Sequence, residues 1–172
     1  MDFPDLGLPL AGGGTVSRAD LVGRPWIVYL SRHLGCSVCQ RHLRHAVETK
    51  TAIRAAGADL LVVLPTSPGR AEAWQQSNNA RDVKVIGDQD CVLYCALDIG
   101  RGTPRKLLLD PQSWREAARE LLHGRFPTKH RGADGFQLGA DMVLDAKGRI
   151  AFIHRPSTAA DRVPVEQLLT YV

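Results

Sequence analysis

Five short apolar runs punctuate the chain, each the length of a strand. Trp26-Ile27-Val28-Tyr29-Leu30 and Leu60-Leu61-Val62-Val63-Leu64 are unbroken, the pattern of strands covered on both faces of a sheet. Val83-Lys84-Val85-Ile86, Met142-Val143-Leu144 and Ile150-Ala151-Phe152-Ile153 follow, the last two joined by D-A-K-G-R, a turn-rich connection that predicts a hairpin. Between the runs the apolar period lengthens. Cys39, Leu43, Ala46, Val47 and Ile53 share a helical face, which predicts a helix from near Cys36 to a stop at Gly57.

Ser67-Pro68, an N-cap followed by a first-turn proline, opens a helix to about Ser77. Asp88 caps a helix through Ala96, and Pro111–Leu122 reads as amphipathic through Trp114, Ala117, Ala118, Leu121 and Leu122. A last helix occupies Pro164–Tyr171. Thr15-Val16 forms a short strand, Ala19–Val22 a helical turn, and His123–Gly139 a basic, Gly-rich loop. The order β-α-β-α-β-α-α-β-β-α predicts an α/β fold with a parallel core sheet, helices on both faces and an antiparallel closing hairpin.

Composition narrows the class. The 172 residues are expected to form one domain spanning 1–172, and 44% hydrophobic with 23% charged residues suits a globular chain. No apolar run approaches the roughly 18 residues of a membrane span. The opening M-D-F-P-D-L lacks the basic and apolar regions of an export signal, so a cytoplasmic location is expected. The net charge of +4 is concentrated: residues 101–131 hold +5 and all others sum to −1. That stretch is a solvated basic face or an anion-attracting patch. With only Trp114 and Phe126 among its charges and no recognition motif, nucleic-acid binding has little support. Gly12–Gly14 lack the Gly-Lys-Ser/Thr of a phosphate loop, and neither a G-x-S-x-G nor an H-E-x-x-H pattern occurs.

The chemistry gathers in S-R-H-L-G-C-S-V-C at residues 31–39. A buried strand, a short loop and C-x-x-C at a helix start suit a redox dithiol. Helix N-terminal N–H groups favour a thiolate at Cys36, with Arg32, His33 and Arg41 as further tuning candidates. Cys39, three residues on and nearer the core, is placed to resolve a disulfide with Cys36. Two other readings stand beside this one. A structural zinc site would add Cys91 and Cys95 to Cys36 and Cys39, and all four thiols are also acceptable as small core residues. Cys91 and Cys95, at i, i+4 in the Asp88–Ala96 helix, are expected to face the core. His33 is the histidine placed to position substrate or tune the thiolate. His42 and His45 are expected on the surface.

The same residues carry a family resemblance. T-V-S-R-A-D-L-V-G-R-P-W-I-V-Y-L followed by R-H-L-G-C-S-V-C resembles the AhpC/TSA-type peroxiredoxin-like proteins of the thioredoxin superfamily, and within them the peroxiredoxin-like-2 family with its R-H-x-G-C-x-x-C block. D-Q-D-C-V-L-Y-C-A-L-D-I-G, F-Q-L-G-A-D-M-V-L-D-A-K-G-R-I-A-F-I-H and D-R-V-P-V-E-Q-L-L extend the similarity over nearly the whole chain. The resemblance implies a thioredoxin-like fold, with a central mixed sheet flanked by helices and a peroxiredoxin-like insertion before the last hairpin. It also implies a redox-active Cys36–Cys39 pair without cofactor or metal. The activity implied is thiol-dependent reduction of a peroxide, endoperoxide or disulfide, with a thioredoxin-like or low-molecular-weight thiol as reductant. The non-enzymatic alternative is a zinc-stabilised or redox-inactive binding module. The chain departs from the P-x-x-T/S-x-x-C of typical peroxiredoxins, with Leu30 and His33 at the Pro and hydroxyl positions. Gly139 or Ala140 stands where those proteins place an arginine before the last hairpin, and the cis-proline that thioredoxins carry at that point is absent.

Overall fold

The computed structural model describes residues 1–103, 110–124 and 134–172. A two-stranded ribbon, β1 (Leu8–Pro9) and β2 (Thr15–Val16), precedes the main sheet. The other elements are β3 (Trp26–Leu30), α1 (Ser37–Glu48), α2 (Lys50–Ala55), β4 (Asp59–Leu64), α3 (Pro68–Ser77) and β5 (Lys84–Gly87). After them come α4 (Val92–Ala96), α5 (Pro111–Leu122), β6 (Ala140–Leu144), β7 (Ile150–His154) and α6 (Val165–Leu168), with a 3-10 turn over Leu169–Tyr171. The five-stranded sheet has the order β5-β4-β3-β6-β7. The β3–β4 and β4–β5 pairs are parallel, and β6 and β7 join antiparallel. This is the mixed sheet expected from the sequence, with α4 and α5 inserted between β5 and the closing hairpin.

The unbroken apolar runs are explained by two cores. Ile27, Tyr29, Leu60, Val62 and Leu64 point to one face, where they meet Leu43, Ala46 and Val47 of α1, Ile53 of α2, Trp74 of α3 and Leu168 of α6. Val28, Leu30, Leu61 and Val63 point to the other, against Phe3, Leu8, Val16 and Leu21 from the N-terminal segment and Leu93, Tyr94 and Leu97 around α4. Alternation along a strand sends successive side chains to opposite faces, so a strand covered twice must be apolar throughout. Asp141 is the exception: it lies within β6 at 0% exposure.

Three expectations change. The single helix from Cys36 to Gly57 divides at Thr49, whose hydroxyl (2.8 Å) and amide (3.0 Å) both donate to the His45 carbonyl. The chain turns out of α2 at Gly57, where φ is +88°. The helix expected from Asp88 begins at Val92, although Asp88 does cap it, accepting from the Val92 and Leu93 amides at 2.9 Å each. In α5 the apolar residues are not the inward face. Trp114 is 62% and Leu122 86% exposed, whereas Glu120 is 3% exposed. Ion pairing sets that orientation: Arg44 reaches Glu120 (2.6 Å) and Arg41 pairs with Glu116. Arg105, Lys106, Arg125, Lys129 and Arg131 of the basic stretch lie outside the described residues.

Candidate active site

Strand β3 ends at Leu30, and after a five-residue loop Cys36 forms the N-cap of α1. The cap is unusual in kind. The Cys36 sulfur, rather than an oxygen, accepts from the Cys39 amide (3.4 Å), satisfying one of the free N–H groups of the first turn. The cap geometry turns Cys36 Sγ back over its own helix, 2.9 Å from Cys39 Sγ, with the buried Cys39 thiol donating. Both cysteines are free thiols, and Cys36 is the partly accessible one.

Arg32 completes the site from the strand side. Its guanidinium is fixed by the carbonyls of Gln137 (3.1 Å) and Gly135 (2.8 Å), leaving Nη1 aimed at Cys36 Sγ at 3.9 Å. The side chain is held at 6% exposure. The two thiols diverge accordingly. Donation from Cys39 lowers Cys36 to about 6; burial opposes this, and the Arg32 charge and the helix-start amides of Cys39 and Val38 reinforce it. Cys39 is pushed well above the ordinary thiol range because it gives its proton to Cys36 and is desolvated. One thiolate and one thiol at contact distance form a nucleophile with a protonated neighbour.

His33, half-buried, meets the pair through its main chain, its carbonyl accepting from the Cys36 amide at 3.3 Å. Cys91 and Cys95 are not brought to the dithiol. Cys91, half-buried with φ 54° and raised to about 11 mainly by burial, packs against the core as expected, whereas Cys95 is exposed, against the expectation. A five-residue helix carries only one inward stripe, and Leu93 and Tyr94 occupy it. Among the described residues no group of three His, Cys, Asp or Glu side chains stands close enough to hold a metal ion. The four-cysteine zinc site therefore has no assembled ligand set.

Several residues at the site were missed from the sequence. Tyr94 runs under the loop, its hydroxyl donating to the Ser31 carbonyl (2.6 Å) and lying 3.2 Å from that of Val63. His42, expected on the surface, is turned inward, its ring edge-on to Tyr29 and its Nε2 3.5 Å from Asp141. Burial lowers its pKa. Asp141 also faces Arg162 Nη2 (3.1 Å) and accepts from the Val163 amide (2.9 Å). Its carboxyl, though penalised by burial, is held below the usual range by Arg162, His42 and that amide. Arg162 donates to the Leu30 carbonyl (3.2 Å) and places Nη1 where a Cβ on Gly139 would stand, 2.7 Å from it. At Gly139, one of the two positions that the resemblance aligns with the arginine of typical peroxiredoxins, the Arg162 guanidinium takes the space a side chain would fill. The available signal was the lone Asp in A-D-M-V-L, which demands a buried partner.

A mixed sheet flanked by helices, with C-x-x-C at the helix start that follows a central strand, places the chain in the thioredoxin-like fold class. Residues 46–157 match the model of the AhpC/TSA antioxidant enzymes, and the chain belongs to that family. The matched stretch begins beyond the two thiols. The chain is 28% identical over 166 residues to the thioredoxin-like protein AAED1, chloroplastic, of Arabidopsis thaliana, covering 91% of this chain but only 66% of that protein's length. Solved structures share the fold. A Xanthomonas campestris bacterioferritin comigratory protein, studied for alkyl peroxide reduction, aligns over 99% of this chain and 91% of its own with a TM-score of 0.63 at 15% identity. The peroxidoxin BcpB of Mycobacterium tuberculosis gives 0.66 at 11% identity over 99% and 93%. A yeast mitochondrial 1-Cys peroxiredoxin gives 0.67 at 12% identity over 98% and 71%.

Proposed function

We propose that the chain reduces a peroxide-type substrate through a Cys36–Cys39 dithiol cycle. The observation that carries this is the 2.9 Å sulfur–sulfur approach of a partly accessible, low-pKa Cys36 and a buried, protonated Cys39. The Cys36 thiolate attacks one oxygen of the O–O bond, the other oxygen leaves as alcohol or water after gaining a proton, and Cys36 becomes a sulfenic acid. Cys39 then attacks that sulfur, hydroxide leaves as water with the Cys39 proton, and a Cys36–Cys39 disulfide results. Two equivalents of an external thiol restore the dithiol and leave as their own disulfide.

Arg32 has the role of holding the thiolate and the developing negative charge, because its other two donor groups are already fixed on carbonyls. His33, one residue on, is the candidate for contact with the rest of the substrate. Reduction of an endoperoxide or a disulfide would use the same nucleophile. Such a cycle needs a compartment with a thiol pool, the cytoplasm in the sequence reading, and among the described residues no helix is long and apolar enough to cross a membrane.

Mass analysis after limited peroxide treatment tests the cycle. The expected product is a protein lighter by two hydrogens, with Cys36 and Cys39 linked in the peptide map. Oxidation that stops at Cys36 sulfinic acid while Cys39 stays free rules out the resolving role.

A further inference from the structure

Helix α5 turns its acids to the protein and its apolar side chains to solvent. Trp114, Ala118, Leu121 and Leu122 recur at i, i+4, i+7 and i+8, one stripe of a helical surface, and all four are exposed. From the opposite side the helix is held by charge: Glu116 pairs with Arg41 and Arg119, and Glu120 with Arg44. Asp110 is engaged at the helix start, accepting from the Gln112 and Ser113 amides. Asp110, Glu116 and Glu120 are the only acids of residues 101–131, a stretch that carries eight Arg and Lys. The acids of the stretch are thus occupied within the protein, while Arg115 is exposed beside the stripe. An apolar helix face and a basic excess coincide.

Size and charge decide what covers that face. The 12 residues of α5 rise about 18 Å, and a face one helix wide offers roughly 200 Å². A specific protein interface takes about 800 Å² from each partner, so this face alone matches neither a second copy nor a folded partner. A helix ridge is also convex, and the cavity beside α5 is lined from its other flank, by Gln112 and Glu116. A lipid surface sets no such area. Each apolar side chain that enters the acyl boundary contributes by itself, and basic side chains add attraction to anionic headgroups. Tryptophan is enriched at that boundary, where its amphipathic ring is at home.

We propose that the exposed face of α5 docks the protein on anionic lipid membranes. Trp114, Leu121 and Leu122 enter the boundary between headgroups and acyl chains, and the basic charge of the stretch faces the headgroups. The thiols take no part in this contact, so it stands or falls independently of the dithiol cycle.

Tryptophan fluorescence of the full chain reads the contact directly. Trp26 and Trp74 are 4% and 7% exposed, so Trp114 is the indole that a vesicle can reach. Vesicles of equal parts phosphatidylcholine and phosphatidylglycerol are expected to shift the emission to the blue, and brominated acyl chains to quench it. Binding to phosphatidylcholine alone should be at least about tenfold weaker, because each basic residue near an anionic surface is worth about fivefold. Leu122→Gln should weaken binding about tenfold and leave the Cys36 alkylation rate and the urea midpoint unchanged. Emission that does not move by about 1 mM anionic lipid, equal affinity for neutral vesicles or an unchanged Leu122→Gln affinity would each overturn the proposal. So would a blue shift that grows with protein concentration in the absence of lipid, with a dimer in sedimentation velocity, which assigns the stripe to a second copy.

Discussion

Replacing Cys39 by alanine separates the causes of Cys36 reactivity. In the native site Cys36 is lowered to about 6, first by donation from the Cys39 thiol at 2.9 Å and then by Arg32 and the helix-start amides. At that value about 90% of Cys36 is thiolate at pH 7, whereas a thiol at the ordinary ~8.5 is about 3% thiolate. If the Cys39 proton is the main cause, Cys39→Ala should slow iodoacetamide alkylation of Cys36 up to about 30-fold at pH 7. Near pH 10 the two rates should converge. Cys39→Ser keeps a donor at the same place and should retain most of the low pKa. The rate–pH profile of native protein should rise through pH 6 and then level off; that of Cys39→Ala should keep rising past pH 8. A Cys39→Ala protein that still levels off near pH 6 refutes the reasoning. It would assign the thiolate to Arg32 at 3.9 Å and to the helix amides instead.

Gly139→Ala should destabilise the fold by about 3 kcal/mol or more in urea unfolding, because the new Cβ would lie 2.1 Å from the Leu30 carbonyl. Tyr94→Phe removes the donor to the Ser31 carbonyl and should cost about 1–2 kcal/mol by the same assay. Asp141→Asn leaves the buried Arg162 without its counter-charge and should cost about 3–5 kcal/mol at pH 7. A carboxyl held below its unfolded value stabilises above that value and ceases to do so as pH falls through the folded one. The gap between native and Asp141→Asn proteins, followed by unfolding at stepped pH, should therefore narrow below about pH 4.

The sequence by itself determined the strands, their parallel core and the thiol pair, because each depends on residues close together in the chain. Strand β3 reads as doubly covered from five consecutive apolar side chains, and C-x-x-C one short loop later is a local motif. Only the tertiary structure decided what surrounds the sulfurs. Arg32 is aimed by carbonyls of Gly135 and Gln137, more than a hundred positions away, and His42, Asp141 and Arg162 come from three separate elements to share one buried charge. Helical periodicity put His42 outside because it registers hydrophobicity, while the pull inward is a carboxylate on a neighbouring strand. The same blindness let Trp114 and Leu122 pass as a core face when ion pairs to α1 had turned α5 the other way. Local pattern records burial of apolar surface, whereas partners for charge are assigned only once distant segments have been packed together.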